Sequence, residues 1–190
     1  VSDADLILKD SSIHKLKKYK MMKRFIIILL FSKLALTMSA QIQRVFQGNV
    51  LGVFTYKQVS ANMACKGYRP NNSNKEYIVY SNVEFAGLKC EQAIYFFYSD
   101  KLYLVSFILN KAYAKEIFNG QFKSIKYSLF EKYERYNSVN DEDAVGFEDN
   151  KTFLSLGINN NNKKGIYILS IGYFDKKIMK EKDKSLSDEL

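Results

Sequence analysis

The stretch EYIVYSNVEFAGLKCEQAIYFFYSDKLYLVSFILN, residues 76–110, decides the fold. Its segments 76–85, 89–98 and 102–110 are dense in β-branched and aromatic side chains, and Ala86-Gly87 and Ser99-Asp100-Lys101 separate them. Such residues fit a pleated, half-buried surface, and short breaks between them favour tight reversals. The stretch therefore predicts three antiparallel strands. Side chains alternate faces along a strand, so two sets emerge. Ile94, Phe96, Leu102, Leu104 and Ile108 are the more aliphatic; Tyr95, Phe97, Tyr103, Val105 and Phe107 are the more aromatic. Helices are expected over the aliphatic set.

Helical periods flank these strands. Thr55 with Gln58 three residues on, Val59 and Met63 on one face, and Gly67 as a stop predict a short helix. Phe118, Phe122, Ile125 and Leu129, with Tyr133 a turn later, predict a longer one whose polar face carries Lys115, Lys123, Lys126 and Lys132. Gly120 weakens that helix by about 1 kcal/mol relative to alanine, which allows a bend or a late start. Further strands are predicted near 144–149, 151–158 and 165–174, the last two joined through NNNNKKG, and the charged tail KKIMKEKDKSLSDEL reads as a weak helix or frayed end. Strand runs beside segregated helices give the α+β class. The expected plan is one domain, 41–190, built of two helix-plus-three-strand antiparallel units, about 55–110 and 112–174. They form one sheet with helices packed on one face.

The segments LGV, VSANMACKGY, VEFAGLKCEQAIYFFYSDKLYLVSF, FKSIKYSLFEKYERY and VGFEDNKTFLSLGI, within residues 48–174, carry a resemblance. They resemble small secreted α+β proteins of Gram-negative anaerobes, whose doubled helix-plus-hairpin plan is similar to the β-lactamase-inhibitor-protein fold. The resemblance implies the fold and an inhibitor-like role. It supplies no catalytic residue.

Upstream, Met22-Lys23-Arg24, the seven apolar residues Phe25 to Phe31, and Thr37-Met38-Ser39-Ala40 follow the order of a secretory signal. The apolar run is shorter than the ~20 residues a membrane-crossing helix needs. The expectation is a signal peptide over 22–40, cleaved near residue 40, with 1–21 upstream of the natural start at Met21 or Met22. That places the product in the periplasm or outside a bacterial cell, with no integral membrane span. Residues 1–40 hold 8 Lys and Arg against 3 Asp and Glu, which leaves 21 against 17, a net of +4, for the rest. Mixed charge of that size keeps a protein soluble and demands no polyanion, and no basic stripe or zinc spacing points to nucleic acid. The terminal SDEL shares three of four letters with an endoplasmic-reticulum retention signal and is read as the end of a charged helix.

The chemistry of residues 41–190 is narrow. His14 is the sole histidine, so no Ser-His-Asp, Cys-His or histidine-zinc site can be built from them. Phosphate-binding glycine loops are also missing. Asp141, Glu142, Asp143, Glu148 and Asp149 could hold calcium or form an acid–base pair. Their spacing lacks the glycine and terminal glutamate of an EF-hand, so a solvated loop is expected, with no metal and no cofactor. Cys65 and Cys90 are an even pair in an exported chain, and a bridge would add roughly 3–4 kcal/mol. If strand 76–85 runs back along the first helix, Cys90 lies by the helix start, about 15 Å from Cys65 at its end. A disulfide and two small buried hydrophobes both remain open. Tyr95, Phe97, Tyr103 and Phe107 are the candidate binding residues, since tyrosine and phenylalanine suit recognition surfaces. The reading is an exported, non-catalytic binding or inhibitor-like module recognising a protein or glycan through an aromatic sheet face. A cell-envelope structural or assembly accessory and a carboxylate-dependent hydrolase are the alternatives.

Overall fold

A computed structural model of the chain describes residues 41–161 and 164–188; the leader expected over 22–40 and the segment 1–21 lie outside them. The chain enters as a small hairpin of β1 (Val45–Phe46) and β2 (Asn49–Val50). It continues into helix α1 (Tyr56–Cys65) through the expected capping box, with Thr55 and Gln58 exchanging side-chain and backbone hydrogen bonds. At the other end the Gly67 N–H donates to the Ala64 carbonyl and the Tyr68 N–H to the Met63 carbonyl. Gly67, at φ +82°, thus closes the helix by the left-handed stop its position in the sequence predicted.

Eight strands follow in two runs. The first is β3 (Pro70–Ser73), β4 (Tyr77–Phe85), β5 (Leu88–Tyr98) and β6 (Lys101–Ala112). A short 3₁₀ turn, Lys115–Phe118, leads into α2 (Asn119–Tyr133), which starts next to Gly120 as that residue's poor propensity allows. The second run, after another 3₁₀ turn, is β7 (Asn137–Asn140), β8 (Ala144–Glu148), β9 (Thr152–Asn161) and β10 (Ile166–Asp175). Helix α3 (Lys176–Asp188) ends the described chain. All pairings are antiparallel and the order is β3-β4-β5-β6-β10-β9-β8-β7. The α+β class is therefore as expected, but α1 and α2 are each followed by four strands, not three. The additional strands, PNNS and NSVN, are polar and exposed at every residue, so no apolar alternation marks them. Both are four-residue edges, each with a register irregularity in its pairing.

Two-residue turns fix the long hairpins. Ala86-Gly87 joins β4 to β5 and Ser99-Asp100 joins β5 to β6, all four residues at positive φ. This is the turn geometry whose twist matches that of paired strands. The core fills one side of the sheet. Val59 and Met63 of α1, with Phe118 and with Phe122, Leu129 and Tyr133 of α2, pack on Tyr80, Tyr95, Phe107, Phe147, Leu154 and Tyr173. At its centre Phe85 stacks on Phe107 with centroids 4.1 Å apart, and Phe46 lies 4.5 Å from Tyr173. Burying side chains of this size contributes roughly 1.5–3 kcal/mol each.

One ion pair ties the entering segment to the end of the sheet. Arg44 Nη2 pairs with Asp175 Oδ2 and donates to the Leu51 carbonyl, while Nη1 donates to Thr152 Oγ1 and the Lys151 carbonyl. The other Asp175 oxygen accepts from the Ile178 N–H and so opens α3. Among the described residues no helix is long and apolar enough to cross a membrane.

Candidate functional site

The two faces of the sheet differ in what covers them. Inward-facing positions on the central strands are Ala93, Tyr95 and Phe97 of β5, Leu102, Val105 and Phe107 of β6, and Ile171 and Tyr173 of β10, all buried. The opposite face carries Tyr77, Val79, Ile94, Phe96, Tyr103, Leu104, Phe153 and Phe174, all half-buried. Among the described residues, helices α1 and α2 pack on the first face. Helix α3 meets one end of the middle strands β5, β6 and β10, where the Tyr98 hydroxyl donates to Ser185 Oγ and Lys182 Nζ lies 5.9 Å from the Tyr103 ring centroid.

This arrangement corrects the expected faces. Tyr95, Phe97, Val105 and Phe107 do share a face, but it is the one the helices cover. Tyr95 and Phe107 are fully buried and Phe97 is 5% exposed. The Tyr95 hydroxyl is 3.8 Å from Met63 Sδ, and burial pushes its pKa far up. Tyr103 alone of the four candidates lies on the other face. The cause is an irregularity in the β5–β6 register: Phe97 pairs with Leu102 but Phe96 with Leu104, so Tyr103 is an extra residue that shifts the alternation. Leu102 exchanges places with it and is buried.

The uncovered face has an ordered relief. One row crosses six strands, Tyr77, Phe96, Leu104, Phe174, Phe153 and Glu148 being successive partners. Ring centroids along it are 6.1 Å apart for Tyr77 and Phe96, 6.5 Å for Phe96 and Tyr103, and 5.7 Å for Phe153 and Phe174. The adjoining row is small: Ser106, Gly172, Ser155 and Gly146 are successive partners. The rings of the first row lean over these gaps. A Cβ on Gly172 would sit 3.1 Å from the Phe174 ring, and one on Gly146 would sit 3.0 Å from the Phe153 ring. The glycines thus let two rings lie close to the backbone. Burial raises the Tyr103 pKa, helped by the charges of Glu76 and Asp183. Sequence reading missed Tyr77, Phe153 and Phe174 as members of this surface. Alternation along β9 and β10 would have found Phe153 and Phe174, but in β4 the irregularity at Asn82, at φ +55°, changes the phase, so alternation from the β4–β5 turn puts Tyr77 on the wrong face.

The acidic residues of 141–149 serve separate local contacts. Asp143 pairs with Lys115 at 2.5 Å and raises the lysine's pKa; Glu148 pairs with Lys176. Asp149 accepts from the Ile42, Lys151 and Thr152 N–H groups. Asp141 and Glu142 are exposed. Among the described residues no group of three or more His, Cys, Asp or Glu side chains is placed to hold a metal ion. Both thiols are free: Cys65 faces solvent at the end of α1, and Cys90 is buried in β5. The start of α1 meets the far end of β5, with Tyr56 and Phe97 rings 5.3 Å apart, so the expected placement of Cys90 by the helix start does not occur. Compared with protein-family models, curated proteins and solved structures, the chain finds no match.

Proposed function

We propose that this chain is an exported, non-catalytic binding module that docks a protein partner on the uncovered face of its sheet. The observation that carries the reading is the half-buried aromatic row from Tyr77 to Phe153 on the side away from α1 and α2. A core-facing row would be covered, whereas these rings retain solvent exposure with no catalytic group among them. The aromatic row crosses six strands and so, at ~4.8 Å spacing, extends about 24 Å, long enough to lie across the centre of a standard interface. Aliphatic Val79, Ile94 and Leu104 interleave with the rings, a mixture that suits the apolar centre of a protein interface better than sugar recognition. The inhibitor-like part of the reading, and the export on which compartment depends, rest on the resemblance within residues 48–174 and on the leader pattern.

Affinity capture from periplasmic and medium fractions tests this, using the wild-type chain, a Phe96→Lys/Phe153→Lys variant, and Tyr127→Lys on the exposed side of α2. The expected result is a protein retained by wild type and Tyr127→Lys and lost with the sheet-face variant. Retention by all three, or capture of a glycan in place of a protein, overturns the proposal.

A further inference from the structure

We propose that the cavity between α2 and the sheet is a binding site for a medium-chain carboxylate amphiphile, a fatty acid of about eight to ten carbons. This site is separate from the sheet face and stands on its own observations. The cavity has a volume of about 270 Å³. At ~30 Å³ per atom-sized unit, the share of one water in the liquid, that is room for about nine methylene-sized groups. Phe85, Leu129, Tyr133, Ile171 and Tyr173 line its interior and are each at most 8% exposed. Gln43, Ser124, Ser128 and Lys132 form the more exposed rim. A small apolar chamber with a few convergent polar groups at its mouth is the usual build of a small-molecule site.

The charge pattern selects the head group. Lys132 is the ionised side chain among the lining residues, and its Nζ is 5.1 Å from the Tyr133 ring centroid, over a residue of the cavity wall. Ser124 and Ser128, one helical turn apart, add hydroxyls to the same rim. A carboxylate seated there gains the Lys132 ammonium and the Ser124 hydroxyl, the Ser128 hydroxyl already donating to the Ser124 carbonyl, while its chain enters the apolar interior. A cation would gain neither. Tyr173 deep in the wall stays neutral, held far up by burial and by the Tyr133 phenol, so the interior adds no competing charge.

Titration of the full chain with octanoate, followed by NMR, tests the proposal, with acetate and 1-octanol as comparisons. Saturable octanoate binding is expected, with contacts between its chain protons and the Tyr173 and Ile171 side chains, and acetate is expected not to bind. Lys132→Gln should weaken octanoate a few-fold, up to about fivefold for an exposed ion pair, and leave octanol unchanged. Ser128→Trp, at an exposed rim position, should block both chain-bearing ligands. No saturation at millimolar octanoate, contacts to other residues, or indifference to Lys132→Gln overturns it. The wild-type contacts decide the location even if Ser128→Trp fails to fold.

Discussion

Gly52→Ala should be among the most damaging single-methyl additions in this protein. Gly52 sits at φ +80°, and a Cβ there would lie 2.3 Å from Asp175 Oδ2 and 2.7 Å from Arg44 Nη2. The backbone part of the cost is common to any left-handed glycine, about 1 kcal/mol. Gly67 isolates that part, because it has φ +82° and a Cβ would meet nothing within 4 Å. The remainder comes from prising apart Arg44 and Asp175, whose side chains are 21% and 9% exposed. Breaking a fully buried pair costs about 3–5 kcal/mol, and the partial exposure here reduces this to about 2–3. Disturbing Asp175 also loosens its bond to the Ile178 N–H, worth about 1 kcal/mol as a helix cap. Gly52→Ala should therefore lose about 4 kcal/mol and Gly67→Ala about 1. Urea titration followed by far-ultraviolet circular dichroism measures both, since the chain has no tryptophan. In an Asp175→Asn background the Gly52→Ala penalty should shrink. Equal losses for the two glycine variants would refute the reasoning, because the steric wedge would then have no effect.

Three further outcomes follow from which side chains are buried. Tyr95→Ala or Phe107→Ala should cost about 3–5 kcal/mol as large buried side chains do, whereas Tyr103→Ala, half-buried on the other face, should cost about 1 kcal/mol or less by the same urea measurement. Native protein should present one thiol to a maleimide, Cys65, and both when unfolded. Burial pushes the Cys90 pKa up to about 11 from 9.0. The unfolded chain thus releases this proton at lower pH than the folded one. The contribution of this group is intact below pH 9 and is lost between about 9 and 11, at most about 3 kcal/mol. Cys90→Ala should remove the fall between about pH 9 and 10, below the range in which the buried tyrosines, whose pKa values are also raised, add their own loss.

The long strands and both core helices could be read from the residues because each carries its own period. Thr55, Gln58 and Gly67 mark α1, the Phe118 to Tyr133 spacing marks α2, and turn residues bound 76–110. Three things could not be read this way. Edge strands β3 and β7 bury nothing, so they leave no apolar trace. The extra residue at Tyr103 moves one ring to the other face, and neighbouring β-branched and aromatic residues look alike on either side of such an irregularity. Periodicity also says which residues share a face without saying which face receives the helices. Here the covered side is the one bearing Tyr95, Phe107 and Tyr173, whose bulk gives the larger burial.

The outermost strands restrict how this protein can meet other molecules. β3 begins at Pro70, whose nitrogen has no hydrogen to donate, and both margins are short, polar and irregular. Such borders are poor templates for an incoming extended peptide. Neither ribbon-like polymerisation of copies nor capture of a stranger's strand is favoured, even in a molecule that is mostly one broad antiparallel layer. Association is thereby directed away from backbone ladders and onto side chains.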